Sequence, residues 1–169
     1  IVSAVIAIGL RFWFISAERR ALRRAIKSVS HEVLYDLSVP DGMDGFIHID
    51  CLVLTSNGLV VLDIRDIAGV IFGGAMMQEW VAMHKNRRDS FRNPLETLHD
   101  RVGSVRVHAT AVPVKGYIVF TNRGRFEKGM PAETLMANEL VSELGVADAN
   151  DYPQAFDAAW RKFIDFKED

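Results

Sequence analysis

Apolar and polar positions are most sharply patterned between Gly45 and Gly74, GFIHIDCLVLTSNGLVVLDIRDIAGVIFGG. Two runs rich in β-branched residues flank Asn57-Gly58, a pair that tolerates the positive φ of a two-residue hairpin turn. A turn centred there sets the register: Ser56 faces Leu59, Leu54 faces Val61, Leu52 faces Asp63 and Asp50 faces Arg65. Side chains alternate along a strand, so Asp63 and Arg65 point the same way, with Asp50 opposite Arg65 and diagonal to Asp63. Three charges on one face then interrupt strands that are otherwise apolar.

The rest of the chain divides by period. Residues 17–30, AERRALRRAIKSVS, place Ala21, Leu22, Ala25, Ile26 and Val29 at helical spacing, with a basic face opposite. Residues 31–39 read as a first strand, ended by Pro40-Asp41-Gly42. After the hairpin, Ile67-Ala68-Gly69 bends the chain, residues 70–72 continue the sheet, Gly73-Gly74 opens a loop, and residues 75–83 carry Trp80 in an edge strand. Residues 85–88, KNRR, suit a solvated turn. Asn93 caps a helix with Pro94 at its first position and Glu96 in its first turn, continuing through Leu98, Val102 and Val105. YIVF, residues 117–120, is a short apolar strand of the kind buried between helices. Residues 131–144 read as a helix closed by Gly145, and residues 152–166 as a last helix with Phe156, Ala159, Trp160 and Phe163 on one core-facing stripe. The expected fold is α/β, a mixed central sheet with flanking helices.

The first sixteen residues, IVSAVIAIGLRFWFIS, are apolar apart from Ser3, Arg11 and Ser16 and are fewer than a bilayer needs. They read as the end of a transmembrane helix, with Trp13 and Phe14 at the interface; a buried amphipathic helix is the alternative. Arg19, Arg20, Arg23, Arg24 and Lys27 follow, opposed only by Glu18, and by the positive-inside rule they place the rest of the chain at the cytoplasmic side of an inner or cytoplasmic membrane. This basic face suits solvent or anionic headgroups, or alternatively a phosphate backbone. The expected division is residues 1–16 as membrane segment, 17–150 as the main domain and 151–169 as a C-terminal helix packed on it.

At 169 residues, 49% apolar, the chain is long enough for one real core, and a net charge of -2 excludes a generally basic nucleic-acid binder. A single cysteine, Cys51, excludes an intrachain disulfide and falls in a strand, where a buried, inert thiol is expected. His31, His48, His84, His99 and His108 lack zinc-ligand spacing. No repeat, glycine-rich phosphate loop or Ser/His/Asp arrangement is present. The chemistry is therefore confined to Asp50, Asp63 and Arg65: either a cross-strand ion pair, or two carboxylates for a hard divalent cation beside a phosphate-steadying charge.

HIDCLVLTSNGLVVLDIRDIAGVIFG, then Trp80, then FRNPLETLH, then GYIVFTNRGRFEKGMP, resembles in order and spacing the nuclease-related domain family, called NERD, along most of residues 17–144. The resemblance implies a distantly restriction-endonuclease-like fold, in which an acid on one strand and an acid-x-lysine on the next bind a divalent metal and cut a phosphodiester. It also implies membrane anchoring or fusion to helicase or kinase modules. By that likeness Asp50 and Asp63 would ligate Mg²⁺ or Mn²⁺, Arg65 stands where lysine is usual, and Glu18 occupies the place of a glutamate on the first helix. Thr97 replaces an expected glutamine and Arg101 an expected histidine. Two functions follow: a membrane-anchored, metal-dependent DNA phosphodiesterase with a degenerate D…DxR set, or an inactive accessory or docking subunit of a membrane protein complex.

Overall fold

The computed structural model describes the backbone of residues 2–168 and the side chains of residues 16–168. Helix α1 (Val2–Val29) leads into strands β1 (Glu32–Pro40), β2 (Phe46–Thr55) and β3 (Gly58–Arg65), an antiparallel meander. Strands β4 (Gly69–Phe72), β5 (Glu79–His84) and β6 (Arg87–Arg92) follow, then helix α2 (Pro94–His108), strands β7 (Val114–Phe120), β8 (Gly124–Phe126) and β9 (Thr134–Met136), and helices α3 (Leu140–Leu144) and α4 (Asp157–Glu168). The fold is mixed α/β with two mixed sheets, ordered β1-β2-β3-β7-β9 and β6-β5-β4-β8. The membrane segment expected over residues 1–16 lies almost entirely outside the residues whose side chains are described; among the described residues no helix is long and apolar enough to cross a membrane.

Two sheets stand where one was expected, because the parallel pair β3/β7 breaks and resumes as β4/β8. The break is fastened by a side chain: Asp66 accepts from the Thr121 hydroxyl at 2.7 Å and from Arg123 Nη1 at 2.9 Å. Gly69, at φ +101, restarts the strand with the Met83 carbonyl pressed where a Cβ would sit. Trp80 was expected on an edge strand. Instead β5 is internal to the second sheet and Trp80 is fully buried against Phe91, Phe120 and Phe126, because β6 takes the edge with Arg87 and Arg88, residues that composition assigned to a turn. An exposed edge strand carrying arginine is protected against pairing with another chain.

The first sheet separates two apolar layers. On one side Leu52, Leu54, Leu59 and Val61 pack under Leu98, Val102 and Val105 of α2, with Trp160 and Phe163 of α4 in the same cluster. On the other, Val53, Val60, Leu62 and Val119 pack under Leu22, Ile26 and Val29 of α1 and Leu140 of α3. Asn93 caps α2 as expected, its Oδ1 accepting from the Leu95 amide at 3.0 Å, while its Nδ2 donates to the Met77 carbonyl at 2.7 Å. The helix expected over residues 131–144 is helical only at its end. Residues 134–136 instead add β9 beside β7, since Thr134 and Leu135 gain a buried sheet edge that a helix would not fill.

Candidate functional site

The hairpin closes one residue earlier than Asn57-Gly58 suggests. Thr55 pairs Gly58, Leu54 pairs Leu59 and Leu52 pairs Val61, so the loop is Ser56-Asn57 and the register is displaced by two from the expected one. The pairing ends at Cys51 and Leu62, and beyond it β2 diverges from β3. Asp50 fills the gap left there: its Oδ2 accepts from the Ile64 amide at 3.1 Å, replacing a ladder bond with a side-chain one.

The three charges do not share a face. Residues two apart on a strand normally point the same way, yet Cys51 belongs to the α1 layer and Ile49 to the α2 layer; across the ladder, Tyr35 and Leu37 divide likewise. The alternation slips at Asp36 and Asp50, the one position missing from the β1/β2 ladder, where Asp36 adopts φ +51. Asp50 consequently lines a groove of about 360 Å³ on the α1 side, together with Arg19, Arg23, Tyr35, Asp36 and Asp66. His48 lies beside it, Nε2 3.4 Å from Asp50 and 3.8 Å from Asp36. Glu18 lies on α1, half-buried, outside that groove.

Asp63 points the other way, at α2, and is 1% exposed. Arg65 holds it from its own strand, Nε to Oδ1 at 2.8 Å and Nη2 to Oδ2 at 3.0 Å; Arg101 reaches down from α2, Nη1 to Oδ2 at 2.6 Å. Three charge-assisted bonds thus occupy both oxygens of one buried carboxylate. Arg65 is 34% exposed and Arg101 13%, with the Arg101 Nε buried and unpartnered. Sequence reading missed Arg101 as a partner of Asp63, although a signal existed. Position 101 falls on the inward stripe of α2, among Leu98, Val102 and Val105, and a buried cation requires a counter-charge. The Thr97 side chain makes no hydrogen bond among the described residues.

A model of the nuclease-related domain matches residues 15–121. The chain belongs to that family. No curated protein and no solved structure matches it. The two departures from the NERD pattern read at positions 65 and 101 are both arginine and converge on one carboxylate, so they act together rather than as independent losses. A hard divalent cation needs several oxygen donors with free lone pairs. Here Asp63 is occupied by two guanidinium groups, Asp50 spends one oxygen on a backbone amide, and no group of three His, Cys, Asp or Glu side chains is placed to hold a metal among the described residues. Asp50 and Asp63, so held and on opposite sides of the sheet, do not together fit a divalent ion.

Cys51 is buried beside Asp50. Burial, and secondarily the Asp50 charge, pushes its thiol up to about 12 from an ordinary 9.0, which keeps it protonated and unreactive near neutrality.

Proposed function

We propose that this NERD domain has exchanged hydrolysis for structure at its acid pair, and serves as a docking or accessory module at the cytoplasmic face of a membrane. The observation carrying this reading is the saturation of Asp63 by Arg65 and Arg101. A metal entering there would displace two buried-side cations, against a cost of several kcal/mol for each charge left uncompensated. Neither arginine can give up a proton to become a neutral ligand neighbour. The antiparallel β1-β2-β3 meander followed by a parallel crossover to β7 is taken as a restriction-endonuclease-like core, retained as scaffold. Membrane attachment is inferred from the apolar sequence of residues 1–16 and the basic residues after it.

The metal-dependent phosphodiesterase reading keeps one observation in its favour: the Asp50 carboxylate is 30% exposed on a groove that also presents Arg19 and Arg23. Incubation of the purified chain with single- and double-stranded DNA in Mg²⁺ and in Mn²⁺ decides between the two. No cleavage above that of Asp63→Asn, in protein shown by circular dichroism to be folded, is the expected result. Cleavage that Asp63→Asn abolishes would overturn the proposal and restore Asp50, Asp63, Arg65 and Glu18 to catalytic roles.

A further inference from the structure

The cations of this chain fall into two populations. Most arginines beyond α1 are neutralised within the fold: Arg65 and Arg101 on Asp63, Arg87 on Asp89, Arg92 on Glu96, Arg123 on Asp66, Arg125 on Glu127 and Arg161 on Asp157. Arg19, Arg20, Arg23, Arg24 and Lys27 are all exposed, and none pairs with a carboxylate among the described residues; Arg23 lies over the Tyr35 ring at 5.2 Å. On the helix they form two adjoining rows, Arg19-Arg23-Lys27 and Arg20-Arg24-Lys27, at spacings of three and four residues. Like charges at those spacings repel and weaken an isolated helix. Asp36, Asp50 and Asp66 share a groove with Arg19 and Arg23, whereas Arg20, Arg24 and Lys27 do not line it, and a counter-charged surface laid along the rows relieves their repulsion.

Two further features narrow that surface. The opposite stripe of the helix, Leu22, Ile26 and Val29, is buried against the sheet, so the basic rows are held facing outward as a rigid array about 12 Å long. Beside the last turn, the Ala147 amide donates to the Ser28 carbonyl at 2.9 Å and so holds Val146, 70% exposed, next to the end of the array. Cations with an exposed aliphatic side chain at their border suit a headgroup layer, where the charges meet phosphates and the apolar group enters the acyl boundary. The array carries no interleaved aromatic platform for bases. The apolar sequence of residues 1–16 precedes it directly.

We infer that Arg20, Arg24 and Lys27, flanked by Arg19, Arg23 and Val146, form a docking surface for anionic phospholipid. This rests on the docking reading above and names its partner by chemistry, while its test uses no cleavage readout, so either can fail alone. The experiment is flotation of the full chain with phosphatidylcholine vesicles and with vesicles containing phosphatidylglycerol, at about 0.1 M salt, where surface charge is still felt over roughly 10 Å. Binding should be stronger to the anionic vesicles and fall as salt rises. The triple reversal Arg20→Glu, Arg24→Glu, Lys27→Glu should lower partitioning to the anionic vesicles at least about tenfold. A control reversal of equal net charge at Lys85, Arg88 and Lys162, exposed residues elsewhere on the molecule that form no ion pair among the described residues, should leave it unchanged. Three results would overturn the inference: equal partitioning to both vesicle compositions, equal loss in the two triple variants, or release of the protein from anionic vesicles by a short DNA duplex at matched phosphate concentration. Circular dichroism of each variant shows that the comparison is made between folded proteins.

Discussion

Asp63 and Asp50 are the same residue type on neighbouring strands, and the fold treats them oppositely. Asp63 is sealed beneath α2 with three bonds from two arginines, whereas Asp50 sits at the opening between β2 and β3, bonded to one backbone amide and partly in water. Water already solvates the second charge; the first depends wholly on its protein partners. A carboxylate is therefore kept at position 63 for balance and at position 50 for local geometry. The isosteric change to asparagine separates those two dependencies, since it removes charge and keeps shape.

The largest effect is expected at the sealed position. Asp63→Asn leaves two guanidinium groups facing each other across a neutral amide, and loss of about 3–5 kcal/mol in urea unfolding is expected. Replacing Arg65 and Arg101 by methionine in the same variant should recover much of that loss, because the penalty comes from the orphaned charges. A cost below about 1 kcal/mol for Asp63→Asn alone would mean that the cluster contributes nothing and would remove the contrast with Asp50.

The two arginines are themselves unequal. Arg101 is the more enclosed, 13% exposed against 34% for Arg65, so its loss exposes Asp63 to less water in compensation. Arg101→Ala should cost about 2–3 kcal/mol and Arg65→Ala about 1 kcal/mol. Double-mutant cycles of each with Asp63→Asn measure the coupling directly. Equal couplings would indicate that solvent reaches both pairs alike.

How much of this was legible depends on whether neighbours in sequence or neighbours in space decide the structure. The strands at Asp50 and Asp63, the Asn93 cap and the buried YIVF run are set by local pattern, and each formed where the pattern placed it. The hairpin register was misread because Gly58 serves a different purpose from the one its dipeptide signals. It lies outside the Ser56-Asn57 loop with a φ of +133, a conformation that L side chains rarely adopt, and the Pro113 carbonyl is pressed where a Cβ would be, while the Leu59 amide donates to that same carbonyl. Glycine is needed for the approach of β7, which no nearby residue announces. The slip at Asp36 and Asp50 was equally hidden, since a strand's alternation is read by assuming that it continues. The conversion of Asp63 into an ion-pair centre was half visible: both arginines were noted as departures, but only the packing of α2 over β3 brings Arg101 to the carboxylate.

Next to the two aspartates lies a titration that sharpens the same contrast between enclosed and open groups. Cys51 ionises at about 12 in the folded chain and near 9.0 when unfolded, chiefly because burial penalises the thiolate. The unfolded chain therefore releases a proton first as pH rises, and the folded state binds more protons than the unfolded one. Stability from this group is full well below pH 9 and is lost progressively as pH rises through 9 towards 12, at a slope approaching about 1.4 kcal/mol per pH unit. Tyr35, Tyr117 and Tyr152 are also raised from an ordinary 10.0, chiefly by burial, and add to the decline as pH approaches 10, so the thiol dominates only in the window from about pH 8 to 9. Cys51→Ala should flatten the slope within that window whatever it does to absolute stability.

The smallest effect is expected at Asp50→Asn. The amide oxygen still accepts from the Ile64 amide, so the gap between β2 and β3 stays closed. Asp36 and Asp50 stand opposite one another, with His48 beside them and Arg19 and Arg23 lining the same groove, and like charges directly across a ladder are destabilising, so removing one relieves that repulsion. Against this, a charge-assisted bond becomes an ordinary one. The two terms are of similar size and opposite sign, and a net change within about 0.5 kcal/mol is expected at pH 8. Asp50→Ala, which also strips the Ile64 amide of its acceptor, should cost about 1–2 kcal/mol more than Asp50→Asn. A loss of 2 kcal/mol or more for Asp50→Asn, measured in the same urea titration as Asp63→Asn, would show that charge matters equally at both positions and that solvent at the open end compensates for nothing.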